Sequence, residues 1–463
     1  MKIANKTVKA ERLVRDALEK AKFFKDYNIF NFIDEEGAIK KAQEIDRKIE
    51  KGEEVGRLAG VPFAIKDNFL APVGETTASA HILEGFNSPV TATSVAKLEA
   101  EGAILIGRTN LDAFAHGSST ENSYFGPTLN AFDKTRVAGG SSGGSAVAVA
   151  LDIVEFATGS DTGGSIRQPA AFNGVYGLKP TYGAVSRYGV VAMASSTDCI
   201  GFFTKTPEDM DLVMSIASGQ DGKDMTTLPD FYDGDGSEAT ASSHHTIGIV
   251  KDFDNDSVTP EIREALKAQC EKLKAKGHEI VELEMPTLKY ALAAYYITVP
   301  AEVASNLSRH DGIRYGFRSE KSENLDSLYS ETRNEGFMPE NKRRIMIGNF
   351  VLSSGFYDAY FLKAAKARTL IIEEYKKAFE KVDFLLTPVS PNPAFKLGEK
   401  VDNPVAMYLE DMMSVSLNLA GVPGLAIPVG KTKEGLPIGL QLVGPRRSDK
   451  NLILFAKEFE RDV

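Results

Sequence analysis

The chain has 463 residues, of which 43% are hydrophobic and 25% are charged, and its formal net charge is −10. This length provides material for two or three domains, and the balance of residue types is that of a globular protein. The negative charge argues against a protein that holds nucleic acid by itself. The two cysteines, Cys199 and Cys270, belong to no CxxC pair, which argues against a structural zinc site and against a disulfide framework.

Two amphipathic helices are predicted at the start of the chain, over residues 8–24 and 35–51, because charged and apolar groups alternate there at helical spacing. Residues 1–20 contain no apolar core of a signal peptide. No stretch approaches the ~20 consecutive apolar residues that a membrane span requires. From the sequence we therefore expect a cytoplasmic protein.

Strand-like apolar runs follow at 58–69, 103–109 and 153–159, and a predicted helix at 93–102 separates the first two. A glycine- and serine-rich loop leads into a predicted helix of small residues at 145–152. Strands that alternate with helices and end in short polar loops predict an α/β fold. In such folds the functional site lies along one edge of the sheet.

The second half of the chain begins with a change of composition. Residues 219–245 are polar and rich in turn formers, which predicts a surface connection. A strand at 246–250 and a helix at 260–276 resume the α/β pattern. Residues 287–385 are largely helical in pattern, and residues 383–395 return to a strand and a proline-rich loop.

The loop within RVAGGSSGGSAVAVA, at 136–150, has two competing interpretations: a cradle for phosphate or a holder for a catalytic hydroxyl. A phosphate loop of the Walker type requires a lysine and then Ser or Thr directly after its last glycine, whereas Ser145 and Ala146 follow here. The G-x-G-x-x-G spacing is absent as well, and no strand is predicted before the loop. Nucleotide binding is therefore disfavoured.

The segment GSSGG at 140–144 also matches the G-x-S-x-G pattern of a nucleophile elbow, with Ser142 at its centre. The elbow needs a strand before it and a histidine base later in the chain. None of the six histidines lies in a context typical of a catalytic base: His81, His116, His244, His245, His278 and His310. A Ser–His–Asp triad is therefore disfavoured too.

A second loop of the same kind, GSDTGGSIRQPA, follows at 159–170. One such loop is more typical of a simple tight turn, but two loops that each present a hydroxyl and backbone N–H groups are what an oxyanion site requires. Lys66 ends an apolar run, where a lysine is usually a solvated cap; a buried lysine instead loses its proton readily and can act as a base.

Three motifs together resemble the amidase signature family, whose members hydrolyse amides with a Ser–Ser–Lys triad. They are IKD around Lys66, GGSSGGS around Ser141 and GSDTGGSIRQPA around Ser165, at successive spacings of 75 and 24 residues. The resemblance implies an α/β fold with a central mixed β-sheet covered by helices on both faces. It also implies that Ser165 is the nucleophile, Ser141, after a non-proline cis peptide, the proton relay, and Lys66 the base.

The same resemblance implies an oxyanion hole built from four consecutive backbone N–H groups: those of Thr162, Gly163, Gly164 and Ser165. Losing one such donor typically costs ~3–4 kcal/mol of transition-state stabilisation.

Within the family, the chain is most similar to the glutaminase subunits of tRNA-dependent amidotransferases, and the similarity extends over nearly the whole sequence. It implies that Asp411 binds the α-amino group of glutamine, Arg344 binds its α-carboxylate and Tyr295 lines the same pocket. His116 stands where these subunits usually have Met, and Ala138 where they usually have Pro. Of these two departures, His116 lies near the predicted site.

By the same resemblance, ammonia would pass to a B subunit, where ATP and Mg²⁺ activate Glu or Asp on misacylated tRNA, and a small C subunit would hold the two together. We expect no metal and no ATP in this chain, and we expect the tRNA to be held mainly by the B subunit. Two alternatives stay open. One is a stand-alone amidase acting on other small amides, and the other is a non-catalytic nucleotide-binding or scaffold protein that uses the glycine-rich loops.

Residues 1–463 are expected to form one large domain. Its parts are an N-terminal helical segment (1–55), a core with the catalytic loops (56–218), the surface connection (219–245) and a remaining part with the glutamine-binding residues (246–463).

Overall fold

One sheet takes strands from both sides of the predicted connection. The computed structural model describes residues 8–229, 231–232, 244–253 and 257–459. Its strands are β1 (Phe30–Ile33), β2 (Pro62–Lys66), β3 (Ile104–Thr109), β4 (Phe156–Asp161), β5 (Tyr176–Lys179), β6 (Cys199–Thr204), β7 (Thr246–Val250), β8 (Glu279–Leu283), β9 (Phe384–Pro388), β10 (Gly424–Lys431) and β11 (Pro437–Val443). Their order in the sheet is β1-β3-β2-β4-β6-β5-β10-β11-β9-β7-β8.

The sheet is mixed. Strand β2 runs parallel to β3 and β4, and β7 runs parallel to β8 and β9. The remaining neighbours are antiparallel: β1–β3, β4–β6, β5–β6, β5–β10, β10–β11 and β9–β11. Because β2 and β4 are parallel neighbours, their carboxyl ends lie at the same edge of the sheet.

The described α-helices are α1 (Ala10–Phe23), α2 (Glu35–Glu50), α3 (Thr93–Ala100), α4 (Gly143–Ala150), α5 (Arg167–Phe172), α6 (Pro207–Ala217), α7 (Pro260–Ala275), α8 (Ala291–Asn306), α9 (Leu325–Gly336), α10 (Pro339–Leu352), α11 (Lys363–Phe379), α12 (Pro404–Leu409), α13 (Val415–Ala420) and α14 (Asp449–Phe455). Helices α6, α7, α10 and α12 begin with proline, which has no N–H to leave unsatisfied in the first turn. None of the helices in these ranges is both long and apolar enough to cross a membrane.

Helices cover both faces of the sheet. Successive strand residues point to opposite faces, and in β2 Phe63 and Ile65 belong to the larger apolar core, whereas Ala64 belongs to the smaller one. Helices α1, α2 and α4 contribute to the smaller core, and α6, α7, α8 and α11 contribute to the larger one. The predicted α/β fold, a mixed sheet with helices on both faces, is confirmed.

The predicted helices at the start of the chain are observed as α1 and α2, and the three strand-like runs of the first half as β2, β3 and β4. The sequence patterns do not identify β1, β5, β6, β8, β10 and β11. Strands β1 and β5 have only four residues each, too few for a periodic signal. Of the predicted surface connection at 219–245, residues 230 and 233–243 lie outside the described residues.

Candidate active site

Lys66 is the last residue of β2 and lies beside the carboxyl end of β4. Its Nζ donates hydrogen bonds to Ser141 Oγ at 2.7 Å and to Ser160 Oγ at 2.9 Å. The sheet edge therefore brings two of the three predicted triad side chains into contact, and it adds Ser160 as a further hydroxyl partner.

The Lys66 side chain is completely buried. Burial lowers the pKa of its ammonium group to about 7, although the carboxylates of Asp112, Asp161 and Asp198 favour the charged form. A lysine with this pKa is largely neutral just above pH 7, so its nitrogen has a lone pair that can accept a proton. The fold thus provides a base where no histidine is available.

The loop that carries Ser141 is tied to the loop that carries Ser165. The Ser142 N–H donates to the Ser165 carbonyl at 3.1 Å. The Gly140–Ser141 peptide bond is cis, as the resemblance implies. A Cβ atom at position 140 would lie 2.1 Å from Asp112 Oδ2, so only glycine fits there. The glycine therefore lets the backbone approach a buried carboxylate.

The serines of these two loops differ in their exposure to solvent. Ser141 and Ser142 are fully buried, whereas Ser165 retains 8% of its surface. Ser145 is also fully buried and Ser160 is 4% exposed, so Ser165 is the most exposed serine of the two loops, which agrees with its predicted role as the nucleophile.

The predicted oxyanion hole needs one correction. The Gly164 N–H donates to Asp161 Oδ1 at 2.9 Å, and Asp161 is itself paired with Arg167 at 3.0 Å. An N–H that already serves a carboxylate cannot also serve a substrate oxygen. The other predicted donors have no acceptor in the described part of the chain: the N–H groups of Thr162, Gly163 and Ser165.

Asp411 lies between α12 and α13 and is 8% exposed. Its carboxylate accepts hydrogen bonds from Ser118 Oγ at 2.7 Å and from the Tyr296 hydroxyl at 2.6 Å. Burial raises the pKa of Asp411 to about 6, against the lowering effect of these two hydrogen bonds. At neutral pH the group is an anion held in a fixed orientation.

Arg344, on α10, is 3% exposed, and a neighbouring carboxylate helps it keep its charge. Its Nε donates to Glu340 at 2.8 Å, and its guanidinium lies 5.3 Å from the ring centre of Tyr296 and 5.8 Å from that of Tyr408. Burial lowers the pKa of Arg344, but the Glu340 carboxylate and the hydroxyls of Tyr296, Tyr295 and Tyr408 together outweigh that effect and hold the pKa well above its usual range. Arg344 is thus a permanent buried cation.

Tyr295, predicted to line the pocket, lies against the second glycine loop. A Cβ atom at Gly163 would be 2.5 Å from the Tyr295 hydroxyl, so the hydroxyl approaches the loop backbone closely. The next residue, Tyr296, contacts Asp411, and the two tyrosine rings meet edge to face with centroids 5.1 Å apart. Tyr295 and Tyr296 therefore connect the loop at 159–170 to Asp411 and Arg344.

A cavity of about 210 Å³ adjoins these groups, and its wall includes Asp112, Ser118 and Arg344. Asp112 lies against Gly140 of the first loop, and Ser118 donates to Asp411, so two lining residues of the cavity contact the first loop and Asp411. Among the described residues, no three His, Cys, Asp or Glu side chains are grouped as ligands of a metal ion.

Sequence reasoning missed several side chains that touch the predicted ones, among them Ser118, Ser160, Tyr296 and Glu340. Glu340 precedes Arg344 by one helical turn, a spacing typical of an ion pair, which could have indicated it. Tyr296 directly follows a predicted residue, and Ser160 lies within a quoted motif. Ser118 has no such signal, because its partner Asp411 is 293 residues away along the chain.

The profile of the family described as Amidase matches residues 12–453. The chain belongs to the amidase family. Amide hydrolysis is accordingly the chemistry for which the site of this amidase is built, and the alternative of a non-catalytic nucleotide-binding or scaffold protein falls away.

Individual relatives of this amidase are similar over most of their length. The glutamyl-tRNA(Gln) amidotransferase A subunit of Persephonella marina is 50% identical over 430 residues, which cover 92% of this chain and 88% of that protein. The protein of the same name from Synechococcus sp. (strain JA-2-3B'a(2-13)) is 48% identical over 463 residues, which cover 100% of this chain and 90% of that protein. The crystal structure of the Thermotoga maritima glutamyl-tRNA(Gln) amidotransferase A subunit superposes with a TM-score of 0.80 at 38% identity, covering 97% of this chain and 91% of that one.

Proposed function

We propose that this amidase is the glutamine-hydrolysing subunit of a glutamyl-tRNA(Gln) amidotransferase. The names of its relatives support this, and one observation in the site carries it: the buried anion Asp411 and the buried cation Arg344 both contact Tyr296. A free amino acid bears one positive and one negative group, and each of these side chains can bind one of them. An apolar amide offers neither group, so it gains no charged hydrogen bond from Asp411 or from the terminal nitrogens of Arg344.

In the proposed reaction, the Ser165 hydroxyl attacks the side-chain amide carbon of glutamine. Its proton passes to Ser141 Oγ, which gives its own proton to Lys66 Nζ. The N–H groups of Thr162, Gly163 and Ser165 are positioned to stabilise the negative oxygen of the tetrahedral intermediate. The C–N bond then breaks, ammonia leaves with the proton returned through Ser141, and a γ-glutamyl ester remains on Ser165.

Water then attacks the ester and the same relay takes up and returns a proton, which releases glutamate and restores the Ser165 hydroxyl. The relay must accept and donate a proton once in each half-reaction. A base with a pKa of about 7, such as Lys66, can do both near neutral pH.

In the proposed complex, the ammonia is used by a B subunit that binds ATP, Mg²⁺ and misacylated tRNA, and a C subunit joins the two. The product is Gln-tRNA(Gln) made from Glu-tRNA(Gln), and the same chemistry would make Asn-tRNA(Asn) from Asp-tRNA(Asn). The acidic balance of this chain, at −10, supports placing the tRNA on another subunit.

The test is glutamate release by the full-length chain, purified alone and with co-expressed partner subunits, followed by transamidation of Glu-tRNA(Gln) and Asp-tRNA(Asn). We expect slow glutamine hydrolysis by the chain alone and faster hydrolysis with partners, ATP and charged tRNA. A Ser165→Ala variant serves as the inactive control. Rapid turnover of an apolar aryl amide with no turnover of glutamine would overturn the proposal in favour of a stand-alone amidase.

A further inference from the structure

His116 is completely buried, and the hydrogen bonds of Asn341 fix which of its ring nitrogens carries a proton. Asn341 Oδ1 accepts the Met338 N–H at 3.2 Å, and Asn341 Nδ2 donates to the Ala113 carbonyl at 2.8 Å. These two bonds determine the orientation of the amide. Nδ2 therefore also points a hydrogen at His116 Nδ1, 2.5 Å away, which makes Nδ1 an acceptor. In the neutral ring the proton is then on Nε2.

The imidazole of His116 is neutral in this environment. Burial lowers its pKa well below the usual value, and the nearby Arg344 cation lowers it further. Its Nε2–H has no hydrogen-bond partner in the described part of the chain. A buried donor without an acceptor is destabilising, so the site lacks an acceptor at this nitrogen.

The missing group is an anion. Arg344 donates to Glu340 through Nε alone, and no described residue accepts from its two terminal nitrogens. His116 and Arg344 both line the cavity of about 210 Å³, and no acceptor in the described part of the chain serves the His116 Nε2–H or the terminal nitrogens of Arg344. A planar carboxylate has two oxygens and can accept from both sides at once.

We propose that His116 determines specificity in this site: its Nε2–H donates a second hydrogen bond to the α-carboxylate of glutamine, whose other oxygen binds Arg344. The inference rests on the proposed function, because it assumes that an α-amino acid amide occupies the cavity. Asp411, held by Ser118 on the same loop as His116, takes the α-amino group. One loop thereby contributes to the recognition of both charged groups of the substrate.

Two substitutions of His116 test the roles of its two ring nitrogens separately. In His116→Asn the amide oxygen can replace Nδ1 as the acceptor for Asn341, but nothing replaces the Nε2–H. In His116→Gln the longer side chain places an N–H near the position of Nε2 and loses the acceptor for Asn341. As a control, His278→Asn changes another buried histidine, one whose Nδ1 accepts the His245 N–H at 3.1 Å outside the site.

The experiment measures the KM for glutamine hydrolysis by the full-length chain. It also measures the Ki of 4-aminobutanamide, which is glutamine without its α-carboxylate, as a competitor. We expect His116→Asn to raise the KM about 10-fold without changing the Ki, because it removes one hydrogen bond to a charged group. We expect His116→Gln to stay within about 3-fold of the parent KM, and His278→Asn to match the parent.

An unchanged KM in His116→Asn, or an equal weakening of glutamine and 4-aminobutanamide, would overturn the inference and leave the proposed function intact. A KM raised more by His116→Gln than by His116→Asn would assign His116 the role of supporting Asn341 and would also overturn it. If the parent chain hydrolyses no glutamine, alone or with its partners, the proposed function fails first and the inference fails with it.

Discussion

The two buried basic side chains of the site, Lys66 and Arg344, have opposite surroundings. Lys66 contacts the hydroxyls of Ser141 and Ser160 and has no carboxylate within hydrogen-bond distance among the described residues, so burial lowers its pKa to about 7. Arg344 is paired with Glu340 and keeps its charge. The difference shows how one protein interior can hold a neutral base and a permanent cation: the partner, rather than burial, decides which form is retained.

The largest effect is expected from removing the neutral base. Lys66→Met should lower kcat for glutamine by about 10³-fold, within the range of a lost general base. Lys66→Arg should lower it as much, since a guanidinium keeps its proton and cannot take one from Ser141. Steady-state glutamate release measures both.

Lys97→Met is the control for the Lys66 substitutions, since Lys97 is a half-buried lysine that donates to the Ser218 carbonyl at 2.6 Å. It should keep the parent kcat. A Lys66→Arg variant with parental kcat would show that the base is another group.

The permanent cation is tested by Arg344→Lys, which should raise the KM for glutamine about 100-fold. A single ammonium nitrogen cannot replace both the Nε that donates to Glu340 and the terminal nitrogens that are proposed to bind the carboxylate. Arg15→Lys is the matched control: Arg15 on α1 pairs with Glu11, four residues earlier, as Arg344 pairs with Glu340. It does not line the cavity, so the KM of this variant should stay at the parent value. Equal effects of the two substitutions would contradict a specific role for Arg344.

The pH dependence of kcat reports on Lys66, and the pH dependence of the KM for glutamine reports on Asp411. Lys66 gains a proton as the pH falls through about 7, so kcat should fall about tenfold per pH unit below that point. Asp411 is protonated as the pH falls through about 6, so the KM for glutamine should rise below pH 6 because the anion that binds the amino group is lost. A kcat that is flat between pH 5 and 8 would argue against a neutral lysine base.

The smallest effect is expected from substituting Glu340, the carboxylate that pairs with Arg344. Glu340→Gln should lower the free energy of unfolding by about 2 kcal/mol, because a buried guanidinium loses its carboxylate. Glutamine brings a carboxylate to the same cation, so it should raise the melting temperature of this variant more than that of the parent. Thermal unfolding with and without glutamine measures the difference, and an equal shift in both proteins would show that Arg344 does not bind the substrate.

The surroundings of Lys66 and those of Arg344 also differ in how far the sequence predicts them. Lys66, Ser141 and Ser165 lie in contiguous motifs at strand ends, so the local pattern predicts their neighbourhood. The contact between His116 and Asn341 joins residues 225 positions apart, and no local pattern indicates it. The use of the Gly164 N–H by Asp161 depends on a side-chain orientation that spacing cannot give.

The strands of the sheet also differ in whether the local sequence predicts them. Strands β2, β3 and β4 are apolar runs near one another in the chain and are predicted, whereas β5 pairs with β10, more than 240 residues later, as in the register Leu178 to Leu425. Burial on both faces removes the polar alternation that would identify such strands. Long-range pairing therefore completes the fold beyond what periodicity can predict.

The most direct measurement is mass spectrometry of the chain after rapid acid quenching of its reaction with glutamine. We predict a γ-glutamyl ester on the peptide that contains Ser165, absent from the Ser165→Ala variant and reduced in Lys66→Met. An ester on Ser141 or Ser142, or glutamine turnover that survives in Ser165→Ala, would contradict the assignment of Ser165 as the nucleophile served by a neutral Lys66.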